Sequence, residues 1–362
     1  MTPAVSGKVH NPATDRVAAI LVVNAGSSTV KTALFTDAAD PVALDRAAVA
    51  GTTASDPHRV AEQLYALSGG RPVSAIGHRM VHGGPRHLAP IRLTPAVLED
   101  LRDAIPFAPN HLPAAIAIIE RLARVFPSVP QVACFDTTFH RDLPDVARRL
   151  AIPSRYDAAG IRRYGFHGLS CEHVLETLRR GDDPERARGR LVVAHLGNGS
   201  SITAVHHGRS VDTSMGLTPL GGLVMSTRSG DLDPGVVAFI AKADDLTGDQ
   251  IEALFSQESG LKAISGHTGD MKVLLDSQDA ASRLAVDIYV YQAKKWIGAF
   301  AAAMGGLDGL IFTGGIGEHA TAVRDRICAG LEYLGRVPVS VVAADEEVVI
   351  ARATRALLRN GT

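Results

Sequence analysis

The chain has 362 residues, of which 46% are hydrophobic and 21% are charged, and this is enough apolar material for two packed domains. A formal net charge of −1 without a basic block argues against binding to nucleic acid or to a membrane surface, and no apolar run approaches the ~20 residues of a membrane span. Three cysteines without paired spacing argue against a disulfide framework or a cysteine zinc site and favour a cytoplasmic protein.

The N-terminal half begins with a pattern typical of a β-hairpin. Residues 18–23 and 30–35 are apolar and flank the polar turn NAGSST, while we expect the first ~16 residues to form a loose tail. Further elements follow from apolar periodicity. Strands are predicted at 75–82 and 131–136, and helices at 95–105 and 112–126.

Residues 191–205 repeat the design of the first hairpin. The repeat is either a chance similarity or the mark of a duplicated domain, in which each half would point a hairpin turn at the same ligand. The remaining apolar runs predict strands at 219–225 (PLGGLVM) and 308–315 and helices at 276–304, 321–335 and 345–360.

These elements predict an α/β protein with a domain break near 140–165. We assign residues 1–150 to a first domain and 151–345 to a second. The final helix, within 346–362, would be able to pack back on the first domain.

Polar turns rich in Gly, Asn, Ser or Thr stand at or near the ends of the apolar runs. Glycine lets the backbone approach a phosphate and turn its N–H groups toward it. Several such turns favour a nucleotide held in a cleft between two halves, although no GxxxxGK[ST] motif is present. They are NAGSSTVK (24–31), FDTTFH (135–140), HLGNGSS (195–201), STRSGDLDP (226–234) and FTGGIGEH (312–319).

Four charged residues are candidates for phosphoryl chemistry, each with an ordinary alternative. Asp136 ends a predicted buried strand, where it is either a turn or N-cap residue or a carboxylate associated with Mg²⁺. Glu346 is a second such carboxylate, or simply an acid in the first turn of a helix. Arg79 and Arg228 lie beside turns, where each forms either a surface salt bridge or a clamp on a carboxylate or phosphoryl group.

The histidines do not indicate a metal site. His78 and His82 are four residues apart in a predicted strand, which separates them by ~13 Å. His167, in RRYGFHG, and His195, at the second hairpin turn, are each either structural or part of the ligand site.

Taken together, these segments resemble the acetate and propionate kinase family of the actin-like ATPase superfold, from about residue 19 to 352. The resemblance implies two actin-like (ribonuclease H-like) domains from a duplicated core, with a cleft between them. The segments that carry it, in this order, are NAGSSTVK, GHRMVHGG, FDTTFH, RRYGFHG, HLGNGSS, SVDTSMGLTPLGGL, TRSGDLDP, SGLKAISG and FTGGIGE.

The resemblance implies reversible transfer of the γ-phosphoryl group of ATP to a short carboxylate, with acetate as the first candidate and propionate as the next. It also implies Mg²⁺, with Mn²⁺ as an alternative, and a homodimer. The implied catalytic residues are Arg79, Asp136, His167 and Arg228, and the implied metal residues are Asn24 and Glu346. The implied nucleotide residues are Ser27, Thr29, Lys31, His195, Gly197, Asn198, Gly199, Asp270, Lys272, Gly315 and Gly317. The implied acyl pocket is Val81, Asn110, Phe166 and Pro219.

The sequence departs from the family pattern at Asn110-His111-Leu112-Pro113, where Leu and Asn are exchanged. Either the amide of Asn110 replaces an apolar wall of the acyl pocket, or the loop has shifted so that Leu112 fills that space. In addition, Lys272 stands where the family has an arginine near the nucleotide phosphates.

Two other functions stay open from the sequence. The chain could be a degenerate nucleotide-binding or regulatory protein that kept the fold and lost turnover. It could also be a kinase for a substituted short acid. Retention of the charged motif residues favours an active phosphotransferase.

Overall fold

A computed structural model describes residues 18–26, 29–50 and 56–360. The predicted N-terminal tail and Ser27 lie outside these ranges. Within the described residues no helix is both long and apolar enough to cross a membrane.

The N-terminal half is built on a six-stranded sheet. Its first three strands form an antiparallel meander, and β4 and β6 lie parallel to β1. The strand order is β3-β2-β1-β4-β6-β5. The strands are β1 (Ala19–Ala25), β2 (Thr29–Thr36), β3 (Ala43–Ala50), β4 (Val73–Met80), β5 (Ile91–Arg92) and β6 (Gln131–Phe135), and the helices are α1 (Pro57–Ser68), α2 (Pro95–Asp103) and α3 (Leu112–Val125).

The C-terminal half contains a five-stranded sheet of order β11-β10-β7-β8-β9. Its strands are β7 (Leu191–Leu196), β8 (Ser200–His206), β9 (Arg209–Thr213), β10 (Gly309–Thr313) and β11 (Val339–Val341). Helices α4 (Asp145–Arg148), α5 (Ser154–Ala158) and α6 (Gly168–Arg180) precede it. The later helices are α7 (Pro234–Ala243), α8 (Gly248–Gln257), α9 (Gly260–Ser265), α10 (Met271–Asp276), α11 (Ala280–Met304), α12 (Gly314–His319), α13 (Thr321–Cys328) and α14 (Glu346–Asn360).

The two sheets repeat one arrangement, which confirms the predicted duplication. In the second sheet β7, β8 and β9 form an antiparallel meander, and β10 and β11 continue parallel to β7. Both predicted hairpins are present, with Asn24 opposite Lys31 in the first and His195 opposite Ser201 in the second. The boundary between domains near residue 150 stays a prediction.

Three predicted elements differ from the structure. PLGGLVM is not a strand, because its backbone N–H groups bond to side chains: Gly222, with φ of 90°, donates to Asp231, and Val224 donates to Gln292. The predicted helix 276–304 begins only at Ala280, where Asp279 caps it. The predicted helix 321–335 ends at Cys328.

Helix α14 packs on the N-terminal sheet, against β1 and β4. Its Ile350 is fully buried in a core cluster with Val22 and Val132. Close packing depends on Gly77 in β4, because a Cβ added there would lie 2.4 Å from Thr354 Oγ1 and 2.7 Å from Ile350 Cγ2. The sequence of β4 therefore determines how closely α14, with its acidic first turn, approaches the sheet.

We expect Gly77→Ala to lower the free energy of unfolding by about 1–3 kcal/mol, because the added methyl group overpacks the contact between β4 and α14. Chemical denaturation of the two proteins measures the change. Gly248→Ala is the matched control, since an added Cβ there meets nothing within 4 Å. Equal destabilisation by the two substitutions would contradict the role of Gly77.

Candidate active site

A cavity of about 410 Å³, called here the cleft cavity, lies where the two halves meet. Both hairpin turns reach it, through Gly26 and Thr29 on one side and Gly197 to Gly199 on the other. Most of the residues named from the sequence border it together. They are Asn24, Thr29, Lys31, Arg79, Val81, Asp136, Phe166, His167, His195, Gly197, Asn198, Gly199, Pro219, Arg228, Gly315 and Glu346.

Three nucleotide residues named from the sequence do not line the cleft cavity. The carboxylate of Asp270 caps α10 by accepting from the backbone N–H of Lys272 at 2.8 Å, and both residues are exposed. Gly317 is buried within α12. Their contact with a nucleotide stays a prediction.

Asn110 also lies outside the cleft cavity, but it borders a smaller cavity that shares His111, Pro219 and Arg228 with it, so its place in the wall of an acyl pocket stays a prediction. Its exposed side chain donates to Glu252 Oε1 at 3.0 Å. Leu112, the first residue of α3, is instead fully buried in a cluster with Val81 and Phe166. The physical reason is the position of the start of α3, which turns Leu112 into the core and leaves Asn110 on the surface.

The structure adds lining residues that the sequence interpretation did not assign. They include His111, Glu318, His319 and Glu347. Glu347 could have been suspected, because it neighbours Glu346 in the first turn of α14. His111 lies in the Asn-His-Leu-Pro segment, between the exchanged residues Asn110 and Leu112.

The buried ion pair of Arg79 and Asp136 is the centre of the site. Asp136 follows β6 directly, and Arg79 lies near the end of the parallel neighbour β4, opposite Cys134. Arg79 Nη2 donates to Asp136 Oδ2 at 2.6 Å, and Nε lies 3.0 Å from Oδ1. Asp136 is fully buried, and burial raises its pKa to about 6 against the opposing charge of Arg79. Both groups are therefore charged at neutral pH.

Asn24, at the end of β1, links this pair to α14. Its Oδ1 accepts from Arg79 at 3.1 Å, while its Nδ2 donates to Glu346 at 2.9 Å and to Glu347 at 2.6 Å. Burial opposes ionisation of Glu346, but the charges of Arg79 and His195 hold its pKa below the ordinary value. Arg79 Nη1 lies 3.7 Å from Glu346 Oε2. These contacts join two strands and a helix into one charged network.

Arg228 stands on the opposite side of this network and lacks such compensation. Its Nη1 donates to Pro219 O at 2.9 Å, and among the described residues it forms no ion pair with a carboxylate. Burial, and secondarily the charge of Arg79, lower its pKa to about 10. A guanidinium removed from water without a counter-charge is costly, so this side chain favours an anionic ligand.

His167 and His195 stack with ring centroids 4.1 Å apart. Each Nδ1 meets a serine hydroxyl: His167 lies 3.0 Å from Ser201 Oγ, and His195 lies 2.8 Å from Ser170 Oγ. Burial, followed by the charges of His195 and the two arginines, holds the pKa of His167 well below its ordinary value. Burial lowers the pKa of His195 to about 4. Both rings are neutral at pH 7, and within the part of the chain that the structure describes neither Nε2 has a hydrogen-bond partner, so each can act as a donor or an acceptor.

Gly199 keeps the space between the catalytic candidates open. A Cβ added there would lie 3.3 Å from His167 Nε2 and 3.5 Å from Arg228 Nη1. His167 itself has φ of 57°, in the left-handed region, immediately before α6. The site therefore uses an uncommon backbone conformation to aim this imidazole at the second hairpin turn.

The oxygen donors around Asn24 fit a hard cation such as Mg²⁺. Asp136, Glu346 and Glu347 carry three negative charges, which Arg79 and Arg46 only partly balance. Within the described ranges there is no cluster of three or more His, Cys, Asp or Glu side chains arranged to hold a metal. Such a cation would therefore take most of its ligands from phosphate and water, as Mg²⁺ does when it binds with a nucleotide.

A family model described as the Acetokinase family matches residues 59–353. The acetate kinase of Solibacter usitatus (strain Ellin6076) is 46% identical over 330 residues, which is 83% of this chain and 79% of that protein.

Two solved structures are similar over their full lengths. The acetate kinase of Porphyromonas gingivalis has a TM-score of 0.82 at 32% identity, covering 94% of this chain and 100% of its own. A propionate kinase from Francisella tularensis subsp. tularensis SCHU S4 has a TM-score of 0.82 at 33% identity, covering 94% and 99%. These neighbours share the two-domain actin-like architecture that the repeated sheets display. Because the similarity extends over both sheets and the residues between them, this chain belongs to the acetokinase family.

Proposed function

We propose that this chain transfers the γ-phosphoryl group of ATP to a short-chain carboxylate, with acetate as the first candidate and propionate as the next. The products are an acyl phosphate and ADP, and the reaction is reversible. The observation that carries the proposal is the pair of guanidinium groups at one cavity, with Arg79 fixed by Asp136 and Arg228 left without a counter-charge. The names of the similar proteins, acetate kinase and propionate kinase, support the same substrates.

The reaction requires charge neutralisation more than proton transfer. A carboxylate is already ionised at neutral pH, so it needs no general base. One of its oxygens forms the new bond to the γ-phosphorus while the bond from that phosphorus to the β–γ bridging oxygen breaks, and ADP leaves with the electron pair. Arg228 binds the incoming anion and the charge that spreads over the transferring group, and Arg79 supplies a second, rigidly held cation.

His167 acts in this proposal as a neutral donor. In the tautomer that the proposal requires, the hydroxyl of Ser201 donates to Nδ1 and the proton lies on Nε2, near Gly199 and Arg228. An N–H at that position can bond to an oxygen of the transferring phosphoryl group. Because the pKa of His167 is held low, the ring contributes a donor without another full positive charge beside the arginines.

The two hairpin turns and the start of α12 form the nucleotide side. Gly197 and Gly199 expose backbone around the second turn, and Tyr289 supports that turn through a 2.8 Å hydrogen bond to Ser200. Gly315, in the first turn of α12, is exposed toward the same cavity. Such N–H-rich backbone suits phosphates. Lys31 adds a cation from the first hairpin.

Mg²⁺, or Mn²⁺ in its place, would be held with the nucleotide phosphates by Glu346 and Asn24, with Asp136 nearby. When bound, it supplies a positive charge that neutralises phosphate oxygens. Asp136 holds Arg79 with both carboxylate oxygens, so its effect on the cation is mainly through its charge.

We also propose a homodimer in the cytoplasm. The apolar side chains of α7 support a dimer, since Phe239 is 73% exposed and no residue of this helix is buried. Tyr291 and Leu284 of α11 are exposed as well. The cytoplasmic location rests on the spacing of the cysteines, which does not predict a disulfide framework.

Trapping of the acyl phosphate tests the proposed activity directly. Acetate, ATP and Mg²⁺ are incubated with the chain, and hydroxylamine converts any acetyl phosphate into a hydroxamate. Hydroxamate formation is the expected result. Nucleotide binding without any hydroxamate, from acetate or propionate, would instead favour a degenerate binding protein.

In this assay we expect Arg228→Ala to lower kcat by ~10³–10⁵-fold, as loss of an arginine at a phosphoryl-transfer centre does. Arg336→Ala, which removes an exposed arginine, is the matched control. Circular dichroism shows whether both variants are folded. If a folded Arg228→Ala variant kept more than about a tenth of the original kcat, the catalytic role of Arg228 would be wrong.

Asp136→Asn is expected to raise the Mg²⁺ concentration needed for half-maximal activity and to reduce kcat. The amide keeps the size of the carboxylate but removes a negative charge close to the cation and to Arg79. A Mg²⁺ titration measures the first effect, and denaturation measures the loss of the buried ion pair, about 3–5 kcal/mol. A titration that superimposes on that of the unmodified chain would leave Asp136 with the structural role of holding Arg79.

Leu112→Ala is expected to raise the KM for acetate more than Asn110→Ala does. Leu112 supports Val81 and Phe166 from within the same core cluster, whereas Asn110 is exposed. KM values for acetate and for ATP are measured for both variants, and the KM for ATP should change little. The opposite order of the acetate effects would restore the interpretation in which Asn110 forms the pocket wall.

A further inference from the structure

A smaller cavity of about 150 Å³, called here the annex, adjoins the cleft cavity. The two share three wall residues: His111, Pro219 and Arg228. A carboxylate held by Arg228 would therefore lie at the boundary between them. A cavity of ~150 Å³ is large enough to hold several non-hydrogen atoms. Acetate ends before it would fill the annex.

The walls of the annex combine an apolar side with a polar end. Its apolar wall residues include Phe107, Pro109 and Leu220. Besides the shared His111 and Arg228, its polar wall residues are Asn110, Thr218 and, from α8, Glu252 and Ser256. Asn110 Nδ2 donates to Glu252 Oε1 at 3.0 Å, which fixes the carboxylate of Glu252 at the cavity wall. Binding sites for small molecules commonly have this composition, in which a few polar groups determine orientation.

Ser256 gives an independent indication of a ligand. Ser256 is a wall residue of the annex, and its Oγ, which is buried, has no hydrogen-bond partner among the described residues. Its backbone carbonyl, by contrast, accepts from Thr227 Oγ1 at 2.9 Å. Buried hydroxyl groups are normally paired, so a turn of this side chain toward the cavity would let a polar group of a ligand supply the missing partner.

We propose that the annex binds the far end of the acyl chain and that the preferred acceptor is a short carboxylate carrying a terminal hydroxyl group. The proposal rests on the carboxylate kinase activity proposed above and names its substrate class. The substrate hydroxyl donates to Glu252 and accepts from Ser256, while the carboxylate stays at Arg228. A hydroxyl suits the site better than an ammonium group, because the guanidinium of Arg228, which forms no ion pair with a carboxylate among the described residues, borders the annex and would repel a second cation.

The test compares two acids of nearly equal shape, 3-hydroxypropionate and butyrate, which differ by a hydroxyl in place of a methyl group. Butyrate would leave Ser256 unpaired, so we expect kcat/KM for 3-hydroxypropionate to be ~5–10-fold higher, the discrimination that one hydrogen bond supplies. Acetate and propionate are measured in the same series. If both are phosphorylated while the ratio is one or less, the annex proposal is wrong and the kinase activity stands. If no acid is phosphorylated, the proposed activity itself has failed.

Substitutions in the annex show which residues distinguish 3-hydroxypropionate from butyrate. Ser256→Ala and Glu252→Gln should each bring the ratio of 3-hydroxypropionate to butyrate toward one. Glu258→Gln, which changes an exposed acid at the end of the same helix, should leave the ratio as it was. If the ratio of kcat/KM for 3-hydroxypropionate to that for butyrate is unchanged in both variants, the proposal is wrong. β-Alanine, which carries an ammonium group in the same position, is the last member of the series, and a preference for it over 3-hydroxypropionate would also overturn the assignment of a hydroxyl.

Discussion

The buried ion pair between Arg79 and Asp136 is the interaction on which the site depends. Replacing such a pair by apolar residues is often neutral for stability, but removing one partner is costly because the other charge is left buried. The pair therefore serves to position the side chains of the site more than to raise the free energy of unfolding. It fixes a guanidinium at the ends of two parallel strands, and through Asn24 it fixes the first turn of α14 as well.

The two halves contribute opposite charges to one cleft. The N-terminal sheet and α14 bring carboxylates that are already engaged by Arg79 and Asn24. The C-terminal half brings Arg228, whose side-chain hydrogen bonds to the described residues go to the carbonyl of Pro219 and the sulfur of Met225. An anion that enters the cleft can therefore pair with Arg228 without displacing the contacts that Arg79 forms in the N-terminal half. This asymmetry explains why the same arrangement of strands, repeated twice, gives one site and not two equivalent ones.

Much of the fold could be predicted from the sequence, because local patterns determined it. Alternating polar turns and apolar runs located both hairpins, and Asp136 at a strand end was recognisable. The pairing of Asp136 with Arg79 was not, since it depends on the register between β4 and β6. PLGGLVM looked like a strand because its composition is apolar, yet the side chains of Asp231 and Gln292 take the hydrogen bonds that a neighbouring strand would supply. The exchange at Asn110 and Leu112 had two interpretations, and the sequence could not show that the start of α3 buries Leu112 and leaves Asn110 exposed at the wall of the annex.

The neutral histidines follow from the same arrangement of charge. His111, His167 and His195 all border a cavity that already contains two guanidinium groups, and burial together with nearby positive charge holds their pKa values far below the ordinary one. Protonated rings here would repel the guanidinium groups of Arg79 and Arg228. Neutral rings instead supply directed donors and acceptors at no electrostatic cost. The cleft can therefore place many hydrogen-bonding groups around a polyanion while its own charge stays low enough for the folded state to tolerate.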